Sequence, residues 1–358
     1  MTRTIALSLD QFYRPQPGGI GTYVRGLVRG LASLKDEHLA LLGVVPSGVP
    51  TQSVDDLDVT RVTTASLKVL NRVWYRWPLG VPTSVDVVHA TSLAGPFAGG
   101  RRGAVHSVAL FDLLWRDEPS SSTPRGIRFH ERRLHSLRRR DEVRLFCASP
   151  GLAQRLADEG FARERLFEVR LGVDDTVTPE DHATVRSALL ERGVAGPFTL
   201  YVGTREPRKN LERLIAAHRV ARGSSDELGP LVLVGPAGWG EVDVADAVVV
   251  GAVTRSLLKG LYRDATVVAY VPRAEGWGLP PVEALAMGSR VVASVTTPSV
   301  ATNDHVVLVD SLDEAAITHG LLTAVAQAND DSSRARRRES VAELTWHNVA
   351  LDHLAGWR

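Results

Sequence analysis

Cysteine is nearly absent: Cys147 is the only one in 358 residues. An internal disulfide framework and cysteine-based zinc clusters are thereby excluded, and within the apolar run VRLFCAS this thiol reads as a buried strand residue. Lysine is scarce as well. Lys35, Lys68, Lys209 and Lys259 stand alone among 42 basic residues, so each departs from a habit of using arginine. No run approaches the roughly 20 apolar residues of a membrane-spanning helix. The opening MTRTIALSLD passes straight into a strand pattern without the apolar core of a signal peptide, so a cytoplasmic location is expected. An excess of one charge is missing too. With 42 basic and 41 acidic residues the net charge is +1, whereas nucleic-acid binding would call for a strongly basic face.

What is present suits a globular protein. Hydrophobic residues make up 44% and charged ones 23%. A single core rarely grows past about 250–300 residues, so two domains are expected. Short apolar runs alternate with helical patterns: residues 4–10, 39–46, 85–91, 106–112 and 144–149, then 198–204, 230–236, 247–253, 265–271, 290–295 and 305–310. Helices are read at Thr22–Leu34 and Gly151–Asp158, among others. Such alternation predicts parallel α/β sheets with right-handed crossovers. The join falls near LGVDDTVTPED, residues 171–181. Ligands of open α/β sheets bind beyond the carboxyl ends of strands, and each stretch with chemistry in it lies just after a strand.

Three stretches stand out. PGGIG (17–21) follows the first strand; Gly19 and Gly21 suit a phosphate cradle, but Val24 breaks the dinucleotide fingerprint and disfavours an NAD site. GTREPRKNLERL (203–214) places Arg205, Arg208 and Lys209 behind the first strand of the second half. A solvated basic turn is the plain reading; the rare lysine favours a compact charge for phosphate. EGWGLPPVEALAMG (275–288) holds Glu275 and Glu283 on either side of a glycine–proline turn. Its helix is expected over Val282–Met287, closed by Gly288, with Glu283 in the first turn near the positive end of the dipole. A glycine loop feeding a helix start is also an anion site.

Together with VVHATSLAGP, LVLVGPAGWG, TWHNVALDHL and LYRDATVVAYVPRAEGWGLPPVEALAMGSRVVAS, these stretches make the chain resemble glycosyltransferase family 4 nearly end to end. It is most similar to the mannosyl- and rhamnosyl-type transferases. The resemblance implies an α/β GT-B fold: two Rossmann-like domains with an interdomain cleft, residues 1–175 binding the acceptor and 176–340 the donor, and a final helix (341–358) crossing back. It further implies a retaining, metal-independent hexosyltransferase without a cofactor, using a nucleoside diphosphate sugar and a glycan or lipid-linked acceptor in polysaccharide assembly. By this resemblance Glu275 positions the donor sugar, Arg208 and Lys209 neutralise the leaving diphosphate, and Glu283 takes the ribose hydroxyls. Backbone groups of Trp277, Gly278 and Leu279 face the sugar and phosphate. Gly203 opens the basic turn, Gly251 and Val253 meet the base, and Gly19 and Gly21 close on the diphosphate.

Departures from the family pattern occur at two places. Phe111-Asp112 stands where relatives carry His-Asp, and TTPSVATNDHV lacks the usual Pro-Glu. By the resemblance this position faces the donor sugar's 6-hydroxyl, for which Phe111 offers no partner, so it reads either as favouring a 6-deoxy donor or as packing away from the cleft. The alternative is a degenerate GT-B protein that binds nucleotide or a partner without turnover. His89, near a strand end, reads either as a cleft residue beside Phe111 and Asp112 on the acceptor side or as a satisfied core histidine. The eight arginines of 125–144 read as a solvated helix face, or else as a surface for anionic lipid or a pyrophosphate-linked acceptor. LKVLNRVWYRWPLG (67–80) reads as internal packing or an interfacial segment. The acidic pair Asp56–Asp58 has no neighbouring ligands that would make a metal site.

Overall fold

The computed structural model describes residues 2–14, 18–34, 38–48, 57–239 and 242–358. Lys35, Asp56 and Pro17 of PGGIG lie outside the described residues. The chain divides into two compact units. The first comprises Met1–Gly172 with Leu344–Arg358, and the second Val173–Glu343.

In the first unit seven strands form one parallel sheet: β1 (Arg3–Ser8), β2 (Leu39–Ser47), β3 (Val59–Ser66), β4 (Val87–Ala90), β5 (Val105–Leu110), β6 (Val143–Cys147) and β7 (Leu166–Glu168). Their spatial order is β3-β2-β1-β4-β5-β6-β7. In the second unit β8 (Thr199–Val202), β9 (Leu231–Val234), β10 (Ala247–Gly251), β11 (Val267–Tyr270), β12 (Val291–Ser294) and β13 (Val306–Val309) form another. Its order is β10-β9-β8-β11-β12-β13. Every pairing is parallel, with Ile5 opposite Val87 and Val267 opposite Thr199. Each order reverses direction once, between β1 and β4 and between β8 and β11. Such a switch point leaves a crevice at the carboxyl ends of the two strands flanking it. These are doubly wound, Rossmann-like sheets.

The sequence makes these strands because runs such as LVLV and VVAY are covered on both faces, and all their residues are buried. Tyr201, Leu214, Leu231, Val267, Ile317 and Leu321 share one core in the second unit. Burying each such side chain contributes about 1.5–3 kcal/mol. Two strands escape the expectation. β3 reads VTRVTTAS and β7 only LFE; both are edge strands, where one side needs no continuous apolar run. Cys147 is fully buried on β6, and burial pushes its thiol up to about 12.

A glycine face joins the chain's two ends within the first unit. The helix Gly18–Ala32 packs against the last helix, Trp346–Trp357. A Cβ on Gly26 would stand 2.0 Å from the Trp346 ring, and one on Gly30 2.0 Å from its carbonyl oxygen. Only hydrogen fits at either position. Within LKVLNRVWYRWPLG, Trp74 is fully buried and its indole N–H donates to the Leu79 carbonyl at 2.9 Å, whereas Trp77 is exposed. Trp74 is therefore packing.

Candidate active site

The switch point of the second sheet gathers the charged residues. β8 runs into Gly203–Glu206 and then one 3-10 turn, Pro207–Lys209. Asn210 follows in the left-handed region at φ 62°, turning the chain into the helix Leu211–Arg222. Its side-chain amide ties this corner to the Val271 and Ser311 carbonyls at 3.1 and 2.7 Å. The chain after β11 is thereby held beside the chain after β8. Glu275, in that second segment, meets Lys209 there.

The contacts are short. Lys209 Nζ donates to Glu275 Oε2 at 2.5 Å and to the Tyr270 hydroxyl at 2.6 Å; the Tyr270 hydroxyl donates to the same Oε2 at 2.5 Å. Arg208 lies 3.4 Å from that oxygen and 3.1 Å from Glu206 Oε2. The Gly276 N–H donates to Glu275 Oε1 at 3.2 Å. These four charged side chains are 9–18% exposed, dry enough to strengthen their attraction yet open to a ligand. Burial pushes the Glu275 carboxyl upward, but Lys209 and Arg208 outweigh it and hold it at about 2. Burial also keeps the Lys209 ammonium below the usual lysine range, partly offset by Glu275. Tyr270 is raised well above the phenol range by burial and then by Glu275, so it remains a proton donor.

Beyond Glu275 the chain turns through Gly278 at φ 94°, a conformation closed to most side chains. The helix starts at Leu279 and runs to Ala286, so it opens earlier than the expected Val282. Pro280 and Pro281 fit in its first turn, where no N–H needs an intrahelical acceptor. As a consequence Glu283 lies in the second turn, and its expected position at the dipole end is corrected. Its Oε2 instead accepts from the Tyr262 hydroxyl at 2.9 Å, and burial raises its carboxyl above the usual range.

Helix caps single out the same place. Asp181, Thr254, Asp313 and Asp330 each cap a helix of the second unit with a side-chain oxygen. The helices Leu211–Arg222 and Leu279–Ala286 have no side-chain cap, and these are the two that begin beside Lys209 and Glu275. Uncapped N–H groups suit an anion, and in the second of these helices Leu279 supplies the first, since Pro280 and Pro281 have none. The Trp277 indole N–H, buried next door, also has no partner among the described residues.

The other expected residues are more scattered. Gly203 immediately follows β8; Gly251 ends β10 at φ 82°, its carbonyl accepting the Gly235 N–H at 2.9 Å, and Val253 lies two residues on. In the first unit Gly19 and Gly21 belong to the opening turn of the helix Gly18–Ala32, where a loop was expected; a Cβ on Gly19 would meet nothing within 4 Å. His89 is corrected: it is 0% exposed, its Nε2 2.7 Å from the Tyr23 hydroxyl and its Nδ1 2.8 Å from Ser107 Oγ. Burial drives its pKa well below the histidine range. It is a core residue. Phe111 packs edge-on to the Tyr23 ring at 5.0 Å and borders the cavity at the β1–β4 switch point, as does Asp112, whose Oδ1 accepts the Leu114 N–H at 3.0 Å.

Sequence reasoning missed Tyr270, Tyr262 and Glu206. A tyrosine closing VVAY, where every other residue is aliphatic, was the available signal for the first.

Residues 196–327 match the family model described as Glycosyl transferases group 1. The chain is 28% identical over 270 residues to O-antigen chain mannosyltransferase B of Escherichia coli, covering 71% of this chain and 68% of that one. Among solved structures, sucrose-phosphate synthase from Thermosynechococcus elongatus superposes with a TM-score of 0.73 at 19% identity, covering 99% and 98% of the two chains. Anabaena HepE in complex with UDP-glucose does so with a TM-score of 0.70 at 14% identity, covering 98% of each. The match to the group 1 glycosyltransferase model lies within the second unit, and the fold is GT-B.

Proposed function

We propose that this GT-B chain, a glycosyltransferase of group 1 type, is a retaining, metal-independent hexosyltransferase using a nucleoside diphosphate sugar. One observation carries the reading: Arg208, Lys209 and Glu275 converge where the only two uncapped α-helices described in the second unit begin. The diphosphate takes those N–H groups with Arg208 and Lys209. Lys209 spends two of its three N–H donors on Glu275 and Tyr270, which leaves one for a phosphate oxygen. As the bond from the anomeric carbon to the diphosphate oxygen breaks, charge grows on that oxygen. Cations and dipoles fixed beforehand stabilise it without reorganising. The acceptor oxygen then bonds to the anomeric carbon, and its proton passes to the departing diphosphate. Glu275, held ionised at about 2, accepts hydrogen bonds from sugar hydroxyls and positions the donor. Glu283 takes the ribose hydroxyls.

The likeness to a mannosyltransferase of O-antigen chains supports mannose as one sugar to try and polysaccharide or lipid-linked glycan as the acceptor class. Nucleoside diphosphates and their sugars should be screened by thermal shift, since a ligand of the folded state adds RT ln(1 + [L]/Kd) to stability. A donor that stabilises and turns over equally in EDTA is the expected result. Activity lost in EDTA and restored by magnesium would overturn metal independence. A bound nucleotide with no transfer to any acceptor and no hydrolysis would favour the non-catalytic alternative.

A further inference from the structure

The first unit has a cavity of about 980 Å³ whose lining includes none of Arg208, Lys209, Glu275 and Glu283. It lies at the carboxyl ends of β1, β4 and β5, the switch point of that sheet. Its wall contains Arg14, Lys68, Arg72, Arg125, Arg128 and Arg132, against one carboxylate, Asp112. In a chain of 42 basic and 41 acidic residues this imbalance is local. Elsewhere arginines are commonly paired: Arg116 with Glu131 and Glu159, Arg165 with Asp141, Arg255 with Asp174. None of the six forms an ion pair among the described residues.

Their arrangement follows from sequence spacing. Arg125, Arg128 and Arg132 sit at i, i+3 and i+7 on the helix Pro124–Arg138, hence on one face. Lys68 and Arg72 sit at i and i+4 on the helix Leu67–Val73. Like charges gathered this way repel at some cost to the free protein, a cost that an anion removes. Two further polar atoms belong to residues of the same wall: His130 Nδ1 and Asn71 Oδ1 are buried and without a partner among the described residues.

We infer that this cavity binds a phosphate- or diphosphate-bearing ligand, and that the acceptor of the transfer is the molecule carrying that group. The second half of the statement rests on the glycosyltransferase reading; the first does not. Six cations exceed what one carboxylate needs, whereas a diphosphate brings several charges and oxygens that match the arginine fork. The volume is at the upper end of ligand pockets, roughly 300–1,000 Å³, with room for a sugar beside the phosphate.

The test is calorimetric titration of the full chain with inorganic pyrophosphate. Arg125→Gln/Arg128→Gln removes two exposed charges that line the cavity, and Arg138→Gln/Arg139→Gln removes two exposed ones outside it. Gln keeps helix propensity near that of Arg, so both variants should fold. Pyrophosphate can also occupy the donor site, but neither variant alters it. The expected result is that the cavity variant weakens one pyrophosphate equivalent at least tenfold while the control does not. Equal affinity in the two variants, or one equivalent only that Lys209→Ala abolishes, would overturn the inference. Co-sedimentation with phosphatidylglycerol and phosphatidylcholine vesicles identifies the source. Phosphatidylglycerol binding lost in the cavity variant alone places the phosphate on a lipid; no vesicle binding beside intact pyrophosphate binding places it on a soluble molecule. Vesicle binding weakened alike in both variants, with pyrophosphate unaffected, would mean a diffusely basic surface and no site. Should UDP and GDP fail to bind while pyrophosphate still loads the cavity, the donor reading fails and this one stands.

Discussion

Removing Lys209 should reveal how strongly Glu275 depends on it. The folded protein holds the Glu275 carboxyl at about 2 against an ordinary 4.5, and two and a half units at 1.36 kcal/mol each correspond to about 3 kcal/mol of stability near neutral pH. The sign follows from the depressed value: this stability is present above pH 4.5 and is lost as pH falls toward 2. Lys209→Ala will not cost the whole amount. Burial holds the ammonium below the lysine range, so the substitution also relieves a desolvation penalty. A double-mutant cycle cancels that term. Lys209→Ala, Glu275→Gln and the double variant should be unfolded in urea at pH 7, following the intrinsic fluorescence of Trp277 in a Trp239→Phe background and subtracting first-unit tryptophans by parallel titrations. The coupling energy should be about 2–3 kcal/mol, at the high end for residues in contact. Single effects that add within 0.5 kcal/mol would show that Glu275 owes its ionisation to Arg208 and the Tyr270 hydroxyl instead. In turnover, Lys209→Ala should lower kcat more than it raises KM, because the diphosphate gains charge in the transition state.

Glu283→Ala should weaken nucleotide binding by about 1.5–3 kcal/mol, one charged hydrogen bond, whereas unchanged affinity in calorimetry would remove the ribose assignment. His353 is buried and held at about 4 by desolvation, so it stays neutral when folded and takes a proton when unfolded below about 6.5. Its contribution is therefore present above pH 6.5 and lost between 6.5 and 4, up to about 3 kcal/mol; the slope of urea midpoint against pH should flatten in His353→Gln. Turnover of 6-deoxy donors such as GDP-fucose or dTDP-rhamnose should exceed that of GDP-mannose and UDP-glucose by tenfold or more, following the cost of about 1–3 kcal/mol for an unpaired hydroxyl against Phe111. Preference for a fully hydroxylated hexose refutes that reasoning.

The buried strands were legible because a parallel sheet covered on both faces demands apolar residues without interruption, as in LVLV and VVAY. β3 was not, because Thr60, Arg61 and Thr64 of an edge strand face water and break the run. In the site, Arg208, Lys209 and Glu275 could be read from their places behind strands, since topology alone brings those ends together. Tyr262 could not, and Tyr270 offered only its place at the end of an aliphatic run, since a tyrosine in an apolar segment looks like core until its hydroxyl is seen to reach a carboxylate. Glu283 was misplaced for a local reason: two prolines look like a helix boundary, yet they fit within a first turn. His89 carried no signal to separate it from a ligand-binding histidine, because its partners Tyr23 and Ser107 are remote in sequence.

The Tyr23 hydroxyl lies 2.7 Å from His353 Nε2, a partner 330 positions away, and the chain leaves the first unit at Gly172 beside Trp346, where it returns; a Cβ on Gly172 would be 2.6 Å from the Trp346 nitrogen. The second unit is thus a closed loop spliced into the first. During synthesis a ribosome delivers the whole second unit before the helix that completes the first. The inserted unit can mature while its host is still open, with Gly26, Gly30 and the face around Tyr23 uncovered. Chaperone dependence should therefore concentrate in the earlier-made part. A nonsense codon just before Trp346 would leave the second unit complete and place the defect entirely in the half that was translated first.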